Sequence, residues 1–133
     1  MFLNVYTDGG SRGNHGPAAC AFVVYDDAGN LREKSGKYLG IATNNYAEYQ
    51  GVIEALDHIP EKATQVNFYL DSLLVVSQLN GKWKVKDENI KELVAKIQFK
   101  ILNLKFKISF VHIPREKNFQ ADKLVNETLD HHQ

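Results

Sequence analysis

The chain has 133 residues, one domain's worth, with 44% hydrophobic and 24% charged side chains, which excludes a disordered tail or a coiled-coil rod. Its longest apolar runs, such as Ala18 to Tyr25, are too short to span a bilayer, and Met1-Phe2-Leu3-Asn4 lacks a leader pattern, so a cytoplasmic protein without membrane contact is expected. Net charge is zero, which excludes binding through bulk charge, but residues 82–107 set eight lysines against three acids while residues 1–81 carry five basic and nine acidic groups.

Phe2 to Thr7 predicts a strand, broken at Asp8-Gly9-Gly10, and Ser11 to Pro17 is loop chemistry. Ala18 to Tyr25 predicts a strand buried on both faces, with Cys20 inside it as a structural thiol. A lone cysteine excludes an internal disulfide and suits a reducing compartment. Asp26 to Asn30 is a turn, and Leu31 to Leu39 returns as a third, more exposed strand, completing an antiparallel meander. Thr43-Asn44-Asn45 supplies caps for a helix from Tyr46 to His58, stopped by Pro60. Val66 to Leu70 is a strand leading through Asp71-Ser72 into a helical Leu73 to Leu79, and the preceding crossover makes it parallel to the first strand. Glu88 to Leu102 carries Ile90, Leu93, Val94, Ile97 and Ile101 at helical spacing, and Phe106 to Ile113 is the last strand. Asn118 then caps a final helix bearing Ala121, Leu124, Val125 and Leu129. With no repeat or linker, residues 1–133 read as one α/β domain: a mixed five-stranded sheet, three antiparallel strands then two parallel, flanked by helices.

Four acids stand out. Asp8 at a strand end before glycine suits an Asx turn, and taken alone that reading wins. Glu48 continues the apolar stripe of Val52, Ala55 and Ile59, and a glutamate aimed at a core is costly unless paired or bound to a cation. Asp71 lies at the carboxyl end of a strand, where α/β sheets place their sites, but could equally cap the next helix. Asp122 in a first helical turn suits the helix dipole. With the inferred strand order, Asp8 and Asp71 come side by side, and a cluster of like charges calls for divalent cations. Oxygen ligands select Mg²⁺ or Mn²⁺, and a pair of such ions is the usual device for in-line attack on a phosphodiester.

The segments Tyr6-Thr7-Asp8-Gly9-Gly10-Ser11, Thr43-Asn44-Asn45-Tyr46-Ala47-Glu48, Asp71-Ser72, and His112 followed by Asn118 and Asp122 together resemble type 1 ribonuclease H, in order and over nearly the whole chain. The resemblance implies the ribonuclease H-like fold and a monomeric endonuclease that cuts the RNA strand of RNA–DNA hybrids, leaving 5′-phosphate and 3′-hydroxyl ends. It implies two Mg²⁺ ions, with Mn²⁺ as a substitute, held by Asp8, Glu48, Asp71 and Asp122, and makes His112 the mobile-loop histidine that assists proton transfer or product release. Double-stranded RNA is a further candidate substrate.

Asn14, Asn44 and Asn45 match positions that touch the strand backbones in this family, and asparagine can both donate to and accept from a ribose 2′-hydroxyl. Gly9 joins them as a candidate substrate-binding residue, and Thr43 with Asn44 resembles a pocket gripping a DNA-strand phosphate. Where many members carry an extra helix and a basic handle, this chain has only Asn80-Gly81-Lys82-Trp83-Lys84-Val85-Lys86. Lys82, Trp83 and Lys84 are the candidates there for phosphate contact and stacking. The competing readings are an inactive hybrid-binding module, another nuclease of the same fold, and a domain descended from reverse transcriptase.

Overall fold

The structure is a computed structural model, and it describes residues 1–132. Five strands, β1 (Phe2–Ser11), β2 (Gly16–Asp26), β3 (Leu31–Ala42), β4 (Gln65–Leu70) and β5 (Lys107–His112), form one sheet in the order β3-β2-β1-β4-β5. The first three are antiparallel neighbours, whereas β4 runs parallel to β1 and β5 parallel to β4. The helices are α1 (Asn44–Leu56), α2 (Leu73–Leu79), α3 (Glu88–Leu102) and α4 (Phe119–His131), with a 3₁₀ turn at Arg115–Asn118 before α4. Among the described residues no helix is long and apolar enough to cross a membrane.

The burial of each element follows its sequence period. In β1, Leu3, Val5 and Thr7 are buried on one face, and β2 is buried almost throughout, as its continuous apolar run requires. α1 and α3 cover one face through Tyr49, Val52, Ile53, Leu93 and Ile97. On the other face α4 packs Val125 and Leu129 against Ala19 and Ala21. Beyond α4 the sheet carries a polar ladder instead of a helix. The Tyr69 hydroxyl and Asn67 Nδ2 donate to Asn4 Oδ1 (3.2 and 3.3 Å), and Ser109 Oγ donates to Asn67 Oδ1 at 2.7 Å. Cys20 is buried as expected, and desolvation pushes its thiol up to about 12.

Several boundaries differ from the sequence reading, each for a tertiary reason. β1 does not break at Asp8-Gly9-Gly10; it stays paired with β2 as far as Ser11↔Ala18. The glycines serve close packing there, not a turn. A Cβ on Gly9 would lie 2.2 Å from the Ala47 carbonyl carbon, so β1 and α1 approach backbone to backbone. β3 continues past Leu39 to Ala42, accommodated by a register shift and by Gly40 at φ 79°. α1 begins at Asn44 because Thr43 Oγ1 accepts from the Tyr46 N–H at 3.1 Å, and it ends at Leu56, short of His58. The last strand is shorter than Phe106 to Ile113, ending at His112.

β1 and β4 pair from Phe2↔Gln65 to Tyr6↔Tyr69 and then part, while β1 runs on with β2. That fork is the point where the sheet changes direction, and crevices at such points hold ligands. Gly9 and Gly10 distinguish the packing account from a loop account. Gly9→Ala should cost about 1–3 kcal/mol, because the helix backbone must move to admit the methyl group. At Gly10 a Cβ would meet nothing closer than Val125 Cγ1 at 3.9 Å, so Gly10→Ala should be neutral or stabilise by up to about 1 kcal/mol. Chemical denaturation of both variants checks this, and equal losses would contradict it.

Candidate active site

Asp8 stands on β1 beyond the fork, Glu48 in the first turns of α1, and Asp71 immediately after β4. Each of these three carboxylates offers an oxygen within 4.8 Å of the others'. Asp8 and Glu48 are 6% and 8% exposed, so both are taken almost completely out of water. Glu48 fulfils its place on the helix stripe, with Val52 and Ala55 buried below it. Asp8 is no Asx-turn residue, since it pairs in register with Ala21. Asp71 is no helix cap either. Ser72 caps α2, its Oγ accepting from the Val75 N–H at 3.2 Å, and the carboxylate is left for the site.

Burial is the main cause that raises Asp8, to about 7, and the neighbouring Asp71 charge adds to it. Burial likewise holds Glu48 well above the usual carboxylate range, reinforced by Asp8. Glu48 Oε2 is buried with no hydrogen-bond partner, which is costly unless something outside the chain occupies the position. An all-oxygen donor set with surplus negative charge and an orphaned buried carboxylate oxygen fits a hard divalent cation.

The cleft over these groups has a volume of about 480 Å³ and includes Asp122 on its wall, with Gly9, Arg12, Asn44 and Arg115. Asp122 lies outside the tight trio, on the first turn of α4, where the Arg115 guanidinium approaches it to 3.7 Å. His112 is exposed at the end of β5, opposite Leu70 in register, and is not part of the cleft wall. Arg115, three residues on, is. Sequence reasoning passes over Arg115 as the opening of a loop. Its charge is visible there, but only the 3₁₀ turn after β5 aims it at the acids. Arg12 is passed over similarly; it reaches across to Asp130 at 2.6 Å on the same rim.

The asparagines are partly committed. Asn14 Oδ1 accepts from the Asn44 N–H at 2.9 Å, and Asn44 Oδ1 accepts from the Ser11 N–H at 2.8 Å. Their acceptor ends therefore brace the β1–β2 and β3–α1 connections. What remains for a ligand is the pair of amide NH₂ groups and one lone pair on each oxygen. A second cleft of about 460 Å³ continues past them, lined by Asn14, Ile41, Thr43, Asn45 and Asp87 among others. Lys82, Trp83 and Lys84 follow α2 in an exposed loop held down by four hydrogen bonds. The Lys82 and Trp83 N–H groups donate to Ser77 O, Gln78 Nε2 donates to Lys84 O, and Asn80 Nδ2 donates to Phe110 O.

A mixed sheet in this order, with acids gathered where its two central strands part, defines the ribonuclease H-like class of fold. A family model described as reverse transcriptase-like matches residues 6–128. The bifunctional protein Rv2228c of Mycobacterium tuberculosis is 40% identical over 133 residues, covering 98% of this chain and 36% of that protein. Ribonuclease HI of Halobacterium salinarum is 37% identical over 130 residues, covering 96% of this chain and 64% of that protein. This chain thus spans about a third of the first relative's length and under two thirds of the second's. Among solved structures, LC11-RNase H1 in complex with RNA/DNA hybrid superposes with a TM-score of 0.93 at 43% identity over 97% of both chains. RNase H1 from Halobacterium salinarum NRC-1 superposes with a TM-score of 0.92 at 35% identity, over 98% of this chain and 99% of that one. The chain belongs to this reverse transcriptase-like family, and within it to the type 1 ribonucleases H.

The raised acid has a thermodynamic consequence. Asp8 titrates near 7 in the folded chain and near its ordinary value of about 4 when unfolded, so the folded state binds more protons between those limits. Its contribution to stability is full below about pH 4 and is lost as pH rises through 7. In chelator, Asp8→Asn should therefore melt above wild type at pH 8, with the difference closing towards pH 4. Scanning calorimetry across that range measures it, and a pH-independent difference would show that Asp8 is ionised throughout.

Proposed function

We propose that this domain is an endonuclease that hydrolyses the RNA strand of RNA–DNA hybrids with the help of two divalent cations. The observation that carries the reading is the buried pair Asp8 and Glu48 with half-buried Asp71 beside them, and the orphaned Glu48 Oε2, on the floor of an open cleft. Asp8, Glu48, Asp71 and Asp122 would hold the ions, with Mg²⁺ the first choice and Mn²⁺ a substitute. Such ions, when bound, neutralise charge at the scissile phosphate and acidify the attacking water.

The chain's own residues do the rest. The outward NH₂ groups of Asn14 and Asn44 can donate to ribose 2′-oxygens, the atoms that distinguish RNA from DNA. Thr43 and Asn45 flank the adjoining cleft, through which the paired strand would run. Lys82 and Lys84 present charge to phosphates, and Trp83, 47% exposed, offers a face to a sugar or base. Cleavage of the bond from phosphorus to the 3′ oxygen would leave 5′-phosphate and 3′-hydroxyl ends, the departing oxygen taking a proton that His112 would supply, while the permanently charged Arg115 on the cleft wall would steady the phosphate.

Incubation with RNA–DNA hybrid, double-stranded RNA and duplex DNA, each with Mg²⁺ or chelator, tests the reading. Hybrid should be cut in the RNA strand only, and only with the cation. Asp8→Asn should abolish cutting by orders of magnitude while leaving the chain folded. Binding to hybrid without turnover would favour an inactive module instead.

Three further variants assign the rim. Lys82, Lys84 and Lys86 changed together to alanine should weaken hybrid binding and lower its salt slope by about 0.9 for each phosphate that these lysines neutralise, with saturated turnover retained. His112→Ala and Arg115→Ala separate proton transfer from charge stabilisation at the phosphate. The one that matters should lose roughly 10²–10⁴-fold in kcat with little change in KM, and the other should stay within about twofold.

A further inference from the structure

Asn118 occupies the N-cap position of α4, but its side chain makes no capping hydrogen bond, although asparagine is a preferred cap. The sequence reading of Asn118 as a cap is thereby corrected, and the side chain is doing something else. It is 1% exposed, turned inward at the fork between β1 and β4. Its Nδ2 donates to two acceptors, Thr7 O at 2.9 Å and Asp71 Oδ2 at 3.2 Å. An amide NH₂ has two hydrogens, one for each. A carbonyl and a carboxylate facing the same end of the group also decide which end is nitrogen.

We infer that Asn118 is a positioning residue, a bridge that ties the Asp71 carboxylate to the β1 backbone and so sets the geometry of the carboxylate cluster. The inference rests on the reading of the site proposed above. Thr7 is the first β1 residue left without a β4 partner, since the ladder between them ends at Tyr6↔Tyr69. Asn118 supplies the donor that β4 no longer offers to this buried segment. Thr7 O is fixed by the sheet, so the amide is anchored at one side and can hold a carboxylate at the other. Asp71 needs holding. It follows the strand at the start of a connection, and its charge repels Asp8 and Glu48 whenever that buried pair is ionised. A donor on Oδ2 offsets part of that repulsion and limits the rotation of the carboxylate. Asp122 lies one turn along from Asn118, so the same anchor also fixes the start of α4 relative to β1.

A stability cycle in chelator reads the bridge without any metal or substrate. Asn118→Ala, Asp71→Ala and the double variant are compared by denaturation, and Asn118→Ala should cost clearly less when Asp71 is already alanine. Calorimetric titration with Ca²⁺ should show Asn118→Ala weakening cation binding by about tenfold or more, the usual effect of losing a group that orients a ligand. On hybrid with Mg²⁺, kcat should fall while KM stays within about twofold. If Asn118→Ala does not fold, Asn118→Ser, which keeps one donor for two acceptors, is carried through the same measurements. Additive stability losses, or lower melting with unchanged cation affinity and turnover, would overturn the bridge and leave Asn118 a packing residue. A wild-type chain that binds no cation and cuts no hybrid would overturn the nuclease reading, and the stability cycle would still decide the bridge by itself.

Discussion

The site depends on how closely α1 lies against β1. Gly9 faces the carbonyl of Ala47, and Gly51 faces the carbonyl of Asp8, where a Cβ would come within 2.9 Å. Side chains are thus absent from both partners along the contact, and helix backbone rests directly on strand backbone. Glu48 sits one turn before Gly51, and this is what brings its carboxylate to Asp8 instead of to solvent. A larger residue at either glycine would push the helix outward and open the pair. The connection before α1 is drawn in by the same approach, with Asn14 and Asn44 pinned to neighbouring N–H groups.

The fold gives up stability at this point. Two buried acids and a third beside them repel one another, and desolvation raises the cost of their charge. The nearest arginines do not relieve it, because Arg12 pairs with Asp130 and Arg115 leans towards Asp122 at the rim. Among the described residues no lysine enters the cleft wall. Apolar packing under the sheet, from Leu3 and Val5 through Phe68 and Ile97, carries this local cost. Strain placed where a ligand would remove it is the usual mark of a working site.

On the proposed reading, the recognition surface would divide into two kinds of contact. Near the acids, Asn14 and Asn44 on their braced connections would be the groups that distinguish one sugar from another. Farther along, the lysines and tryptophan after α2 offer charge and a flat ring without sequence reading. That loop is short, yet its backbone is held by Ser77, Gln78 and Asn80, so it meets a ligand already ordered.

Much of this is legible in the residues. The continuous apolar run of β2, the helical stripes of α1 and α3, and the crossover that makes β4 parallel follow from local periodicity and chain order, which act over a few residues. Glu48 on an apolar stripe already points to a bound cation, since burial of a lone charge has few other resolutions. Four short motifs in order mark the family. The local rules fail at the fork. Asp8-Gly9-Gly10 looks like a strand break because glycine usually is one, and only the presence of α1 on the other side makes it a packing contact. Asn118 looks like a cap because asparagine before a helix usually caps, and only the parting of β1 and β4 leaves a carbonyl for it to take. Arg115 and His112 stand three residues apart with similar claims, and it is the turn after β5 that sends one to the cleft wall and leaves the other at the strand end. Residue type and spacing determine which groups are present and on which elements. Which of them meet is decided by long-range pairing, because contacts such as the one between Asn118 and Thr7 join segments 111 residues apart that no local preference connects.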